Sequence, residues 1–457
     1  MYKSLLIWRY FLHKRVAFIA VVGVALLVMA VLVVLSVMSG LLEDARSRNH
    51  AWTGDVVLVR DSLVGFDHYE EFMARLAQAE IAQASTPVIT TYGLVMGSPT
   101  QLFGVRLGEF CRVTDFGRQM HLQAGEPEPD FVLPEYGRDK GGLARLEADQ
   151  RRRGIIIHVR RDDRKHFETL LESGRGEPQV FWSIDVTAFA VSHRGLLTGS
   201  ELGETQRFWY VDDYMTRLLD LESAAMVDFD VLGALTWMDG QDGAPRRTNE
   251  LRIKLREGLD LAEGRAAVAS LWAQFVSEKE AAGQAKLLSD VRVESWKAFR
   301  RSQIAPVENE KSLMTVVFLL IAVVAVFIVF AIFYMIVTEK IKDLGIIKSV
   351  GGSAWGTSQI FLGYGALVGL IGVVLGTALG YAIVTHSNDL DGWLYAHFGW
   401  QLWPPDVYFG IEKIPDQVAS GQAAVIAVVG VLASVVGAAL PAWRAARLQV
   451  VEALRVE

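Results

Sequence analysis

The residues best placed for chemistry lie in one short charged segment, Glu339 to Gly352 (EKIKDLGIIKSVGG). Glu339, Lys340 and Asp343 open it, Lys348 follows, and Gly351-Gly352 close it. Acid early and base late suits a helix macrodipole, which is positive at the N-terminus and negative at the C-terminus. Leu344, Ile347 and Val350 fall near one face of such a helix. The chemistry on offer is docking: this amphipathic helix either lies in lipid headgroups or presents its apolar face to a partner protein.

Other chemistries lack their residues. No Gly is followed by Lys, so the phosphate-cradling G-x-x-x-x-G-K-[ST] loop is missing, and H-E-x-x-H and G-x-S-x-G are absent as well. Nine histidines are scattered without metal-ligand spacing, which reads as packing and surface use. The single cysteine, Cys111, permits neither an intramolecular disulfide nor a cysteine-rich zinc site. A net charge of −7 argues against nucleic acid as a partner.

The elements that must position the charged segment are apolar. Of 457 residues, 51% are hydrophobic and only 21% charged, and the excess is concentrated in four charge-free runs. These are Val16 to Leu42, Ser312 to Thr338, Ser349 to Asn388 and Val418 to Trp443. A hydrocarbon core about 30 Å thick needs about 20 apolar residues of helix, so each run is long enough to span it. The first run is read as an uncleaved helix, because it is longer than a signal-peptide core and no small-x-small site follows it. None of the runs carries Asp, Glu, Lys or Arg, which argues against a secondary transporter or proton relay. The third run places Gly365, Gly369, Gly372, Gly376 and Gly380 at close to helical spacing, a stripe suited to backbone-to-backbone packing within the subunit or across a dimer.

Lys and Arg gather at the N-terminus, between the second and third runs and in the C-terminal tail, while the loop between the third and fourth has only Lys413 against five acids. By the positive-inside rule both termini are cytoplasmic and the long hydrophilic block after the first run lies outside. That block reads as mixed α and β. Strands are predicted over 55–60, 88–96, 101–107, 186–191 and 250–255, and helices over 69–80 and 261–275. Two α+β lobes are expected, with residues 125–163 as an inserted loop region.

From the second run through EKIKDLGIIKSVGGSAWGTSQIFLGYGALVGLIGVVLGTALG the chain resembles the FtsX-like permease domain of ABC transporters, and the closing PAWRAARLQVVEALRVE is similar to that family's C-terminal motif. LSVMSGLLEDARSR at the end of the first run, and DVYFGIEKIPDQV from Asp406 to Val418, resemble the lipoprotein-releasing, Lol-type branch. Gln449-Val450 stand where the family's closing motif has a proline, and residues 126–166 have no counterpart in the family pattern.

The resemblance implies an α-helical membrane protein with four transmembrane helices and a large MacB-like α+β domain of two lobes between helices 1 and 2. The expected boundaries are a cytoplasmic N-terminus (1–15), spans at 16–42, 312–338, 357–385 and 419–443, and the extracytoplasmic domain at 43–311. A cytoplasmic coupling helix (339–356), an extracytoplasmic loop (386–418) and a cytoplasmic tail (444–457) complete them. The implied role is a non-catalytic permease of mechanotransmission type in the bacterial inner membrane. It would bind no cofactor itself; ATP and magnesium would belong to a separate ABC ATPase subunit, contacted through Glu339, Lys340, Asp343, Leu344, Ile347, Lys348, Val350 and Gly351. A second permease subunit, identical or paralogous, is implied as a partner, together with a lipoprotein or periplasmic carrier. Lipoprotein release is the first expectation. Peptide or drug efflux and relay to a cell-wall hydrolase are the alternatives for a permease of this build.

Overall fold

Val56–Val59 (β1) is apolar at all four positions and buried at all four, so this strand is covered on both faces. The computed structural model describes residues 15–132, 153–159, 183–198, 204–216, 218–241, 243–339, 346, 349, 351, 353–404 and 413–447. The chain divides into two compact units, residues 1–44 with 305–457, and residues 45–304.

In the second unit, β1 is followed in chain order by the helix Tyr69–Gln78, then Ala82–Val95 (β2), Ser98–Val105 (β3), the helix Leu107–Val113, Gly154–His158 (β4), Ser183–Ala188 (β5), Ala190–Val191 (β6), Leu197–Thr198 (β7), Glu204–Tyr214 (β8) and Ala224–Asp228 (β9). The helix Phe229–Leu235, Glu250–Leu255 (β10), the helix Leu261–Ala281, Arg292–Ser295 (β11) and the short helix Trp296–Phe299 complete it. Nine strands form one sheet in the order β11-β1-β10-β2-β3-β9-β4-β8-β5. The long β2 also pairs with β5 at Gly93–Val95, which closes the strands from β2 to β5 into a ring. Only β3–β9 and β4–β8 are parallel. All nine of these strands share one sheet.

Strand alternation builds a core on each face of this sheet. Ile89, Leu102, Ile155 and Val227 join the cluster under the helices at 69–78 and 261–281, with Phe72, Trp272 and Phe275. Their chain neighbours Val88, Phe103, Ile156 and Met226 join a second cluster around Trp52 and Phe110. The indole of Trp52 meets Phe103, Phe110 and Phe116 edge-on at 5.5–5.8 Å, a favoured arrangement of ring quadrupoles. Helix starts are capped by side chains: Asp228 accepts from the Asp230 and Val231 amides, and Asp260 from that of Ala262.

One expectation is corrected. Part of the stretch read as an inserted loop, Gly154–His158, is a strand inside the sheet between β9 and β8, with Ile155 and Ile156 fully buried. Its Ile-Ile-Ile run is β-branched and apolar, but the Arg-rich sequence around it masks the signal.

The helices long and apolar enough to cross a membrane are four among the described residues. They belong to Arg15–Thr53 (α1), Arg301–Glu339 (α2), Ala354–Thr385 (α3) and, after the short helix Ser387–Phe398 (α4), Ser420–Arg447 (α5). In the first unit α3 is the central helix, its most apolar window 39% buried against 12% for that of α2. Phe361, Tyr364 and Val368 of α3 pack with Val21 and Val24 of α1, Phe333 of α2 and Ala438 of α5. Helix α1 continues past Leu42 to Thr53, and α2 begins at Arg301, before the apolar run at Ser312.

Candidate functional site

The glycine stripe of α3 faces two different helices. A methyl group added at Gly365 would come within 2.5 Å of the Ala438 methyl, and one at Gly369 within 2.8 Å of Ser434 Cβ, both on α5. Further along α3, a methyl at Gly372 would meet Val24 at 2.8 Å, one at Gly376 the Ala25 carbonyl at 2.5 Å and one at Gly380 Leu32 at 2.9 Å, all on α1. Only hydrogen fits at these places, so the backbones approach closely enough for dispersion to replace the hydrophobic drive that lipid does not supply. The contacts are within one chain.

Against this tight packing, α1 and α2 leave an open groove of about 300 Å³. Gly23, Leu26, Leu27, Ala30 and Val31 line it from α1, and Phe318, Ile321, Val324 and Ile328 from α2. Helix α2 packs into the bundle through Val329, Phe333, Ile336 and Val337, whereas Ile321, Val324 and Ile328 are exposed. The helix therefore meets its neighbours at one end and stands free along the groove. A methyl group at Gly23 would touch nothing within 4 Å. With no hydrogen-bonding side chain in its lining, the groove accepts hydrocarbon and offers a polar ligand nothing in exchange for its water.

Within residues 45–304, the last turns of α1 are tied to the residue that precedes α2. Arg300 donates through Nε to Asn49 Oδ1 at 2.8 Å, and through Nη1 and Nη2 to the two carboxylate oxygens of Asp220 at 2.6 and 3.2 Å. Trp296 stacks on His50 with ring centroids 4.8 Å apart, and His50 Nε2 lies 2.7 Å from Asp55 Oδ1. Burial pushes the Asp55 carboxyl up, but the His50 contact and the Leu255 amide outweigh it and leave the group below its ordinary value. Behind this junction Arg252, fully buried, pairs with Glu250 at 2.9 Å, donates to the Trp52 carbonyl at 2.8 Å and lies over the Trp52 and Phe110 rings. Such a guanidinium is held by ion pair, carbonyl and ring face together.

Of the charged segment, Glu339 is the last residue of α2, and Gly351 makes a turn at φ +97°, in the left-handed region that favours glycine. Ser353 then caps α3 by accepting from the Gly356 amide at 3.0 Å. Lys340, Asp343, Leu344, Ile347, Lys348 and Val350 lie outside the described residues, as does Asp406 to Glu412 of the second Lol-like segment. Among the described residues no group of three or more His, Cys, Asp and Glu is arranged to hold a metal ion. Sequence reasoning missed both the groove and the junction. For the groove, the small residues Gly23 and Ala30 at a spacing of seven were the available signal; for the junction, polar Asn49-His50 placed beyond the apolar run of a continuing helix.

Residues 315–450 match the family described as FtsX-like permease C-terminal, and the chain therefore carries an FtsX-like permease domain. Within that class it is similar to lipoprotein-releasing system transmembrane proteins. LolC of Xylella fastidiosa is 30% identical over 165 residues and LolC of Neisseria meningitidis serogroup B 34% over 167, each alignment covering 36% of this chain and 40% of the relative. LolE of Haemophilus influenzae is 28% identical over 148 residues, covering 32% and 34%. The matched part thus spans two fifths or less of these relatives' own length. Among solved structures, the periplasmic region of MacB from Actinobacillus actinomycetemcomitans aligns with 57% of this chain and 96% of its own at 10% identity, with a TM-score of 0.28, too low to define a common fold.

Proposed function

We infer that this chain is the permease subunit of an ABC exporter that takes a lipidated substrate, a lipoprotein first of all, from the outer leaflet of the inner membrane. The observation that carries this reading is the groove between α1 and α2. It is lined by carbon and bounded by a helix that is free along that stretch. Each methylene drawn from water into such a lining contributes about 0.8 kcal/mol, so an acyl chain is the part of a lipoprotein the groove would hold. The names of the relatives agree with that choice.

In this reading no substrate crosses the bilayer through the chain. A separate ATPase docks on the cytoplasmic segment 339–356 and drives α1 and α2, which continue without a break into residues of the extracytoplasmic domain inserted between them. Both termini are cytoplasmic, and a second permease subunit completes the complex. The test is a photo-crosslinker at Leu26 or Val324 in the reconstituted complex with its ATPase. Crosslinks to the acyl chains of a bound lipoprotein, lost on ATP hydrolysis, are expected. Crosslinks to phospholipid alone, unchanged by ATP, would overturn the groove as the substrate site and leave efflux or relay to be tested.

A further inference from the structure

The loop between α3 and α5 holds a small folded element, most of whose aromatic side chains are exposed. Helix α4 ends at Gly399, which takes φ +66°, and the chain returns along it. Asp391 Oδ1 accepts from the Leu402 amide at 2.6 Å and the Trp403 amide at 3.2 Å, locking the returning segment to the helix. Asn388 exchanges two hydrogen bonds with the backbone of Ile414, at 2.7 and 3.1 Å. The element is thus braced at both ends, yet α4 buries no residue. Trp393, Tyr395, Phe398, Trp400 and Leu402 are all more than half exposed, Trp400 at 73%. The Trp393 ring stacks on His397 at 4.9 Å and meets Phe398 edge-on at 5.7 Å, so the rings form an ordered platform.

Contacts inside the same unit give its depth. Trp403 and Ile414 are buried against Val37 and Leu41 of α1, which belong to the charge-free run and precede its first acid, Glu43. The platform therefore stands level with the outer end of an apolar span. Indole and phenol rings prefer that level, where the ring meets hydrocarbon and the N–H or O–H meets water. The only ionisable carboxylates of the element are Asp389 and Asp391, both on its first turns; Asp391 is engaged with the returning segment.

We propose that residues 387–403 form an interfacial wedge that seats Trp393, Tyr395, Phe398 and Trp400 among the lipid headgroups of the outer leaflet and holds the outer ends of α1 and α3 at a set depth. The proposal does not depend on the groove or on the nature of the substrate. Its partner is the bilayer itself.

The test uses the full chain with Cys111→Ser, reconstituted in nanodiscs of phosphatidylethanolamine and phosphatidylglycerol. A cysteine at Phe398, Trp400 or, in separate variants, Tyr395 or the exposed Ser98 at the start of β3 is labelled with an environment-sensitive fluorophore. A blue shift at 395, 398 and 400, with greater loss of emission to a nitroxide near the headgroup than to one at the chain end, is expected; Ser98 should show neither. Three sites guard against one label displacing its own segment. Aqueous emission unaffected by either nitroxide would overturn the proposal. So would protection that develops only as copies per disc increase, which would mark a contact between chains, or only on adding a soluble protein.

Discussion

Arg300 holds Asn49 at 2.8 Å with one guanidinium nitrogen while its other two grip Asp220. Asn49 is on α1 and Arg300 immediately precedes α2, so one side chain joins the end of one helix to the start of another that is far away in the chain. The fork geometry matters, because only a planar guanidinium presents three donors in fixed directions. The buried Asn49 amide also donates to the Ala45 carbonyl at 2.8 Å, which orients its oxygen toward Arg300.

Replacing Arg300 with Ala should lower stability by about 1.5–3 kcal/mol, the range for charge-assisted hydrogen bonds left half made. Arg300→Lys should recover only part of it, since an ammonium cannot reach Asn49 and both Asp220 oxygens in the same directions. Thermal unfolding of the full chain in nanodiscs measures this. If the junction transmits movement, Arg300→Ala should also hydrolyse ATP with its ATPase but release less substrate per ATP. Unchanged coupling would confine the clamp to stability.

The two glycine environments on the spans predict opposite outcomes. Gly376→Leu drives a side chain toward the Ala25 carbonyl, where even a methyl would lie at 2.5 Å, and should destabilise the bundle by about 1–3 kcal/mol or prevent its assembly. Leu375→Ile, at an exposed neighbour, should be mild. At Gly23 an added Cβ meets nothing within 4 Å, so Gly23→Leu, whose side chain extends into the groove, should leave folding and melting near normal while release of the proposed lipidated substrate falls. Melting temperature read beside release activity separates the three.

Ile347→Asp tests the cytoplasmic segment. An aspartate forced into an ATPase groove would bury an unpaired charge, at several kcal/mol. Pull-down of the ATPase should fail, or its turnover proceed without release, while the permease still inserts; Lys340→Ala should be mild. Full binding and coupled turnover by Ile347→Asp would dismiss the segment as the docking site.

Asp212 gives a pH prediction. Burial holds its carboxyl above the ordinary value, although the Leu122, Gln123 and Asp213 amides pull it down. With the folded value raised, the stability linked to the bound proton is fully present below the unfolded value of 3.8 and is lost as pH rises through the folded value. Asp212→Asn keeps an Oδ1 for the His121, Leu122 and Asp213 amides and removes the charge, losing only the acceptor for Gln123. Its stability relative to the native chain should therefore improve as pH rises from 4 towards 7, whereas Asp212→Ala, which removes the side-chain acceptor of all four amides and leaves His121 only the Asp213 carbonyl, should cost about 1–3 kcal/mol throughout. Denaturant unfolding of the full chain at several pH values measures both.

The apolar spans were legible in the sequence because a span is a local property: enough consecutive hydrocarbon is all it needs. Strand β10 was legible for a similar reason, Leu251, Ile253 and Leu255 alternating with polar neighbours. The regular glycines of α3 announced a close approach, but their spacing alone did not say that Gly365 and Gly369 meet α5 while the three beyond them meet α1. That division depends on how the helices cross. The strand at Gly154–His158 takes its place only through pairing with β8 and β9, partners that lie more than forty residues further along the chain. The groove exists because α2 packs at one end and leaves the other free, and hydropathy is the same in both halves. Asn49 and Arg300 are 251 residues apart, and each is an ordinary polar residue at a helix end until the sheet between them folds and brings the two ends together.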